Sequence, residues 1–183
     1  MRQVLTLHPD ARCGAVSGIE VEVARPASGR LVLRYVVIGE IGDLSMPAIA
    51  AATRTDGLWR TTCFEAFVRG PSGEAYCEFN MSPSRQWACY RFGAYRKGMT
   101  PMDEVGDPRV DIARTGSRLD VRAVWDLDAA SDLPGEGAWR LGLSAVLEAA
   151  GGRLSYWALA HPPGKADFHH AAGFALQLET TEP

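Results

Sequence analysis

The segment from residue 63 to residue 92 carries two acidic side chains within runs that are otherwise mostly apolar or aromatic. Turn-forming residues at 70–73 predict a four-residue hairpin loop, which would place Glu65 directly opposite Glu78 on one face of two paired strands. Like charges in directly opposed positions repel each other. Such a pair therefore needs a basic group, a shared proton, a metal ion or a polar ligand to compensate it.

A second turn at 82–85 predicts the register of the strand that follows. It would place Trp87 beside Asn80, and Arg91 diagonal to Glu78, on the face that carries the two glutamates. Aromatic rings stack on the apolar face of a pyranose, while carboxylate, amide and guanidinium groups bond its hydroxyls. The face therefore favours a saccharide, and the alternative is an internal salt-bridge network covered by a loop. The predicted face consists of Glu65, Tyr76, Glu78, Asn80, Trp87 and Arg91.

Two carboxylates on paired strands would also suit glycoside hydrolysis. Opposed strand residues hold their Cβ atoms about 4.5–5.5 Å apart, close to the roughly 5–5.5 Å carboxyl separation of retaining glycosidases. A flat strand pair usually lacks the cleft that flanks a scissile bond, and the sequence has no nucleophile elbow, P-loop or dinucleotide-binding glycine motif. Cys63 or Cys89 could act as a nucleophile with a histidine, but buried strand cysteines usually pack inertly. We therefore predict no catalysis.

One loop contains His161, Lys165, Asp167, His169 and His170. Histidine is the commonest metal ligand, but the spacing matches no standard zinc pattern, so we expect no metal and histidines that bond backbone groups. A further interpretation closes this loop over the two glutamates, where Lys165 or a histidine such as His161 would neutralise a carboxylate or bond the ligand. Haem would need axial ligands such as Met46, Met81 or these histidines, and no spacing supports them, so we expect no cofactor.

Turn signals divide the chain into short segments with the residue pattern of strands. These strands predict an all-β fold, an antiparallel sandwich or barrel of about ten strands. Helical periodicity is weak, with at most a turn or two at 45–54 and 127–132. Long irregular stretches at 39–60, 93–108 and 160–172 are of the kind that often carries function. The strands are predicted at 20–23, 31–38, 63–68, 74–81, 86–92, 109–114, 118–125, 139–147, 153–159 and 173–178.

Composition excludes several classes of protein. The 183 residues fit one domain, predicted to span 1–183. Nineteen Lys and Arg against twenty-two Asp and Glu give a net charge of −3, which argues against a nucleic-acid binder. No apolar run is long enough to span a membrane, and the N-terminus lacks the apolar core of a secretory signal. The four cysteines have no Cys-x-x-Cys spacing, so we expect reduced thiols and a cytoplasmic protein.

Within residues 58–67, Trp59 and Glu65 flank Thr62 at a spacing of three. This resembles the Trp-x-x-Asp-x-x-Glu pattern of DOMON-like domains and family 9 carbohydrate-binding modules, with Thr62 where the aspartate is usual. Residues 74–83 resemble the strand and turn that follow, and residues 154–170 resemble a bacterial DOMON-like group. The resemblance covers about residues 30–178. It implies an immunoglobulin-like or jelly-roll β-sandwich with one ligand pocket, whose relatives bind sugars or haem.

These observations predict a non-catalytic module that binds a small molecule, preferably a saccharide, with no nucleic-acid or membrane partner. The alternatives are a protein-interaction module without a small ligand and, less favoured, a haem or metal binder or a glycoside hydrolase. Trp125 and Trp139 lie at positions predicted to pack in the core. The predicted ligand-binding residues are Trp59, Glu65, Tyr76, Glu78, Asn80, Trp87, Arg91, Trp157, His161 and Lys165.

Overall fold

The computed structural model describes residues 1–179, and those residues form twelve strands that pair antiparallel. Apolar and polar residues alternate along strands such as Arg118–Asp126, as expected where one face of a sheet is buried. Three short 3-10 helices lie at Ile41–Asp43, Leu58–Arg60 and Ala171–Gly173, and no helix within residues 1–179 is long and apolar enough to cross a membrane. The strands are β1 (Arg2–Leu7), β2 (Val16–Ala27), β3 (Arg30–Gly39), β4 (Cys63–Arg69), β5 (Tyr76–Met81), β6 (Trp87–Phe92), β7 (Thr100–Pro101), β8 (Arg109–Arg114), β9 (Arg118–Asp126), β10 (Trp139–Glu148), β11 (Leu154–Ala158) and β12 (Leu176–Leu178).

The strands form one strongly curled sheet in the order β7-β6-β5-β4-β10-β11-β1-β2-β3-β9-β8, with β12 beside β10. The two halves of this path face each other. The Tyr35 ring in β3 lies 5.1 Å from the Phe64 ring in β4, and the Trp125 ring in β9 lies 5.0 Å from the Phe79 ring in β5. The Tyr35 hydroxyl also donates to the carbonyl oxygen of Glu65 at 2.6 Å. One apolar core therefore fills the space between the halves, and the prediction of an all-β antiparallel fold is confirmed.

Most predicted strands are present with boundaries shifted by one or two residues. Strands β1 and β7 were not predicted, and the predicted strand at 173–178 is shortened to β12 because Ala171–Gly173 forms a 3-10 helix. Residues 45–54 contain no helix, and residues 127–132 form two hydrogen-bonded turns instead of a helix. The predicted core residues Trp125 and Trp139 are buried, at 0% and 1% exposure.

The predicted register of β4 and β5 is wrong by two residues. The loop between these strands covers six residues, 70–75, so that Glu65 lies opposite Asn80 and Phe67 lies opposite Glu78. Because side chains alternate with a period of two, a shift of two leaves every side chain on its predicted face. The two glutamates therefore share a face as predicted, but as diagonal neighbours rather than as a directly opposed pair.

The predicted register of β5 and β6 is wrong by one residue, which reverses the faces of β6. The backbone N–H of Ser82 donates to the carbonyl of Gln86 at 2.9 Å, so the turn is a three-residue loop rather than the predicted four-residue turn at 82–85. Arg85 closes this loop in the left-handed region with φ +78°, as in three-residue hairpin loops that end in a bulge. Glu78 is consequently opposite Tyr90. Trp87 and Cys89 therefore point into the core, and Arg91 lies on the same side of the sheet at its rim.

Candidate functional site

The face of β4, β5 and β6 that turns away from the core carries a second apolar cluster and a cavity. Residues of the Leu58–Arg60 helix, of the loop after β6 and of the loop between β11 and β12 close over this face. The cavity has a volume of about 410 Å³, within the range of roughly 300–1,000 Å³ that is usual for small-molecule sites. Its walls are formed by Trp59, Glu65, Glu78, Phe92, Arg96, Met99, Val146, Tyr156, Ala166, Phe168 and His169.

Glu65 and Glu78 are the acidic groups in this wall. Their residues are only 3% and 4% exposed. Burial raises the pKa of Glu65 well above its ordinary value, and the neighbouring Glu78 raises it further. Burial likewise raises the pKa of Glu78 to about 7. At neutral pH, Glu78 is therefore partly ionised, and the raised pKa of Glu65 favours its protonated form.

The two glutamates differ in their hydrogen bonds. Asn80 donates from Nδ2 to Glu78 Oε1 at 2.7 Å, which favours the ionised form of Glu78. Glu65 Oε1 is buried without a hydrogen-bond partner, as is Oγ of Ser144, which faces Glu65 from β10. Buried polar atoms are nearly always hydrogen-bonded in folded proteins. An unpartnered carboxyl oxygen in a cavity wall therefore marks a position suited to a ligand donor.

His169 covers the glutamates and is held by Tyr76. The backbone N–H of Arg96 donates to the Tyr76 hydroxyl oxygen at 3.2 Å, and the same hydroxyl is hydrogen-bonded to His169 Nδ1 at 2.7 Å. Nε2 of His169 lies 3.8 Å from Glu78 Oε2, too far for a direct hydrogen bond. Burial and then Arg96 lower the pKa of His169 to about 4. The imidazole is neutral at physiological pH, so it does not form an ion pair with Glu78.

Tyr76→Phe is expected to lower the free energy of unfolding by about 1–3 kcal/mol, because it leaves His169 Nδ1 and the Arg96 N–H without their shared partner. Urea unfolding at pH 7 measures this change. Tyr95→Phe is the matched control, since the Tyr95 hydroxyl bonds Asp167 from a half-exposed side chain. Equal unfolding midpoints for wild type and Tyr76→Phe would contradict the role given to this hydroxyl.

Arg96 contributes positive charge to the cavity wall, but its guanidinium is already paired. Its Nη2 donates to Asp167 Oδ1 at 2.8 Å, and Tyr95 donates to the other oxygen of the same carboxylate at 2.5 Å. Asp167 Oδ1 also accepts the backbone N–H of His169 at 3.2 Å. This carboxylate therefore ties the loop after β6 to the loop that covers the cavity.

Aromatic rings form the rest of the wall. Gly57, with φ +77°, begins the Leu58–Arg60 helix, and Leu58 is buried beneath it. The buried Leu58 fixes the position of the neighbouring Trp59, which is half-buried. The Trp59 ring packs edge-on against the Tyr90 ring, with 5.9 Å between the ring centroids. The Tyr90 hydroxyl in turn donates to Asp56 at 2.6 Å. With Phe92, Tyr156 and Phe168, the tryptophan gives the cavity the ring surfaces that a sugar or a cation can contact.

The cysteines of these strands are not poised for nucleophilic chemistry. Burial, reinforced by both glutamates, raises the pKa of Cys63 well above its ordinary value. Burial raises the pKa of Cys89 to about 11. The thiolate is the reactive form of cysteine, so both remain unreactive thiols at neutral pH. All four cysteines are free.

Of the residues predicted to bind a ligand, Trp59, Glu65 and Glu78 line the cavity. Tyr76 and Asn80 lie beside it and hold His169 and Glu78 through hydrogen bonds.

Trp87 and Arg91 do not face the cavity, and the sequence-based placement of both is wrong. The one-residue error in the β6 register turns them to the other face of the sheet. Trp87 is 1% exposed in the core, with its ring 5.6 Å from that of Trp125. Arg91 forms ion pairs with Glu104 and Asp132. Tyr90 and Phe92 occupy the cavity side of β6 in their place.

Trp157, His161 and Lys165 also lie apart from the cavity wall. Trp157 packs in the core and donates to Ser155 Oγ at 3.2 Å. His161 Nε2 donates to the Thr6 carbonyl at 2.9 Å, and its ring packs edge-on against His8 at 4.9 Å.

Lys165 lines a neighbouring cavity of about 380 Å³, which shares Tyr156 and Ala166 with the first cavity. The loop therefore closes over the glutamates as one interpretation predicted, but it does so with His169 and Phe168.

Within residues 1–179, no group of three or more His, Cys, Asp or Glu side chains is arranged to hold a metal ion. His170 accepts the backbone N–H of Ala172 at 3.1 Å and is exposed. Met81 lies fully buried in the core, and Met46 packs against the same core from its edge. The methionines considered as haem ligands therefore pack with the core and not in the cavity wall.

Several wall residues were not identified from the sequence. Phe92 could have been found from the correct turn, because it shares a face with Tyr90. Arg96 and Met99 lie in the 93–108 stretch and Phe168 in the 160–172 stretch, which were noted as irregular loops, and His169 was considered only as one member of the histidine loop. Val146 comes from β10, whose position beside β4 depends on long-range pairing, and Tyr156 comes from β11, which lies on the other side of β10.

No family model and no curated protein sequence matches this chain. Solved structures share its fold. A proposed carbohydrate-binding protein from Bacteroides uniformis matches with a TM-score of 0.69 and 15% identity over 98% of this chain and 86% of that chain. A family 9 carbohydrate-binding module from Caldicellulosiruptor kristjanssonii in complex with glucose gives 0.53 and 13% over 95% and 81%. A family 9 module from the same organism in complex with cellotriose gives 0.57 and 10% over 100% and 83%. This chain therefore has the fold of these structures.

Proposed function

We propose that this protein is a non-catalytic module that binds a small saccharide in the cavity above Glu65 and Glu78. The observation that carries the proposal is Glu65 Oε1, a buried carboxyl oxygen without a partner in a cavity walled by aromatic rings. A sugar would offer hydroxyl donors to this oxygen and to Glu78, and an apolar ring face to Trp59. The fold shared with modules that are bound to glucose and cellotriose supports a saccharide as the ligand class.

The same likeness supports a finer description of the fold and family. We propose that the curled sheet is a variant of the β-sandwich predicted from residues 58–67 and their DOMON-like resemblance. The two facing halves of the sheet and the single core between them are consistent with this description. The long loops that cover the outer face of β4, β5 and β6 would then form the ligand site.

The proposal is tested by screening mono- and disaccharides for thermal stabilisation and then measuring affinity by calorimetry. Trp59→Ala is expected to weaken the affinity for the best sugar about tenfold, the loss of a ring contact worth up to about 1.5 kcal/mol. Arg60→Ala is the matched control, because Arg60 lies in the same 3-10 helix and is exposed outside the cavity wall. A sugar that binds Trp59→Ala as tightly as wild type would place its site elsewhere. If no saccharide binds, the proposal fails and a protein-interaction module becomes the better interpretation.

Glycoside hydrolysis is a second candidate, favoured by one observation. The cavity holds Glu65, whose pKa burial raises well above its ordinary value, beside Glu78, whose pKa is about 7. Glycosidases use one protonated and one ionised carboxyl group. Release of nitrophenol from nitrophenyl glycosides, lost in both Glu65→Gln and Glu78→Gln, would establish this activity. Binding without turnover would leave the non-catalytic module as the function.

A further inference from the structure

The charged groups in the cavity wall are unevenly compensated. Arg96 is paired with Asp167, and His169 is neutral because burial and then the charge of Arg96 lower its pKa. Among the described residues, no lysine or arginine forms an ion pair with Glu65 or Glu78. The positive charge of Arg96 acts to lower the pKa of both glutamates, so the two carboxyl groups are partly compensated but have no ion-pair partner of their own among the described arginines and lysines.

Burial makes this arrangement costly for the unliganded protein. Transfer of an ionised carboxylate into an apolar environment is unfavourable unless the carboxylate is paired, and such groups instead take up a proton. Asn80 compensates part of this cost at Glu78, but Glu65 Oε1 has no partner at all. A ligand cation would supply the missing charge and donors for both groups.

The ring surfaces in the same wall favour a cation as well. Trp59, Phe92, Tyr156 and Phe168 line the cavity with the carboxyl groups. A cation over an aromatic face is attracted by the negative charge of that face. A neutral sugar would also contact these rings, so the rings alone do not choose between the two ligands. The combination of aromatic rings with two carboxyl groups that form no ion pair with lysine or arginine favours a ligand with positive charge.

We infer that the saccharide bound in this cavity is an amino sugar whose protonated amine lies between Glu65 and Glu78. This inference rests on the proposed function. The inference goes beyond the proposed function by naming the amine as the substituent that would distinguish the ligand from glucose or cellotriose.

Binding of such a cation should release protons. The ammonium group favours the ionised glutamates, so protons bound to Glu65 or Glu78 leave when the ligand binds at a pH near 7. The other titratable groups around the pair are Cys63, Tyr35, Tyr76, Tyr90 and His169, and all five are neutral in this range. The remaining charges nearby, Arg96 with Asp167 and the Asp56 carboxylate beneath Tyr90, are already engaged. A neutral sugar has no comparable reason to displace these protons.

The experiment is calorimetric titration at pH 6.5 with glucosamine, glucose, N-acetylglucosamine and cyclohexylamine, in two buffers of different ionisation enthalpy. We expect glucosamine to bind at least about tenfold more tightly than either neutral sugar, because charge-assisted hydrogen bonds are about twice as strong as neutral ones. Only the amines should release protons. Glu65→Gln and Glu78→Gln should each reduce glucosamine affinity towards that of glucose, while Glu22→Gln on β2 should not. Thermal melting confirms that each variant is folded.

The outcomes separate the two proposals. Glucose binding as tightly as glucosamine, without proton release, overturns the amino-sugar inference and leaves the saccharide proposal standing. Cyclohexylamine binding as tightly as glucosamine, with no binding of glucose, shows that the sugar hydroxyls are not recognised and overturns both proposals. The absence of binding by all four compounds also overturns both.

Discussion

Replacing Glu65 and Glu78 together by glutamine is expected to raise the free energy of unfolding at pH 8 by about 3 kcal/mol or more. Each pKa unit corresponds to about 1.4 kcal/mol, and the pKa of Glu78 alone is raised from 4.5 to about 7. The shift at Glu65 acts in the same direction. Glutamine keeps the shape of both side chains and removes the unfavourable buried charge.

The sign of the pH dependence follows from proton binding. Above pH 4.5 the folded state holds protons on the glutamates that the unfolded state has lost, so the free energy of unfolding falls as pH rises through about 7. His169 acts oppositely between about pH 4 and 6.5, where only the unfolded state binds its proton. The two contributions to the free energy of unfolding therefore change in opposite directions between about pH 4.5 and 6.5. Above pH 6.5 the pH dependence comes from the glutamates.

Urea unfolding at pH 6.5 and pH 8 measures this effect in wild type, the double variant and Glu22→Gln. Glu22 is a strand glutamate whose side chain is 49% exposed and paired with Arg34, which makes it a matched control. Wild type and Glu22→Gln should lose stability between the two pH values, and the double variant should lose much less. A wild type that is equally stable at both pH values, together with no gain in the double variant, would show that the pair is not held out of solvent.

Trp125→Ala is expected to lower the free energy of unfolding by about 3–5 kcal/mol, the usual cost of truncating a buried large aromatic side chain. Trp125 in β9 is fully buried, and its ring contacts Phe79 in β5 and Trp87 in β6 at 5.0 and 5.6 Å. It therefore joins two parts of the sheet that are far apart along the strand order. Trp125→Phe should cost less, because it keeps a ring and removes an indole N–H that is buried without a partner.

The matched control for Trp125→Ala is Trp59→Ala, since Trp59 is half-buried on the opposite face of the sheet. Unfolding by guanidinium chloride, followed by circular dichroism, measures both changes. A loss at Trp125 no larger than that at Trp59 would contradict the closure of the two halves of the sheet around this residue.

The local alternation of residues predicted most of the strands, though not β1 or β7, and it correctly placed the two glutamates on a shared face. It could not predict the registers, because these depend on the length and geometry of the turns. The six-residue loop at 70–75 shifted Glu65 by two positions without changing its face. The three-residue loop that Arg85 closes changed the face of Trp87 and replaced it by Tyr90 and Phe92.

The residues that lie over the cavity were harder to predict from the sequence. Phe168 and His169 lie about a hundred residues from Tyr76 and Glu78 along the chain, and no periodicity links a loop to a distant strand. The histidine spacing did draw attention to this loop. It gave no means of telling that His169 would lie over Glu78 while His161 would bond the Thr6 carbonyl.

The assignment of this cavity is tested by a crystal structure of the protein grown with the tightest-binding sugar. We expect a sugar ring in the cavity against Trp59, with a donor about 3 Å from Glu65 Oε1. A sugar held on another surface, or no bound sugar at a concentration well above its measured Kd, would contradict the assignment of this cavity as the saccharide site.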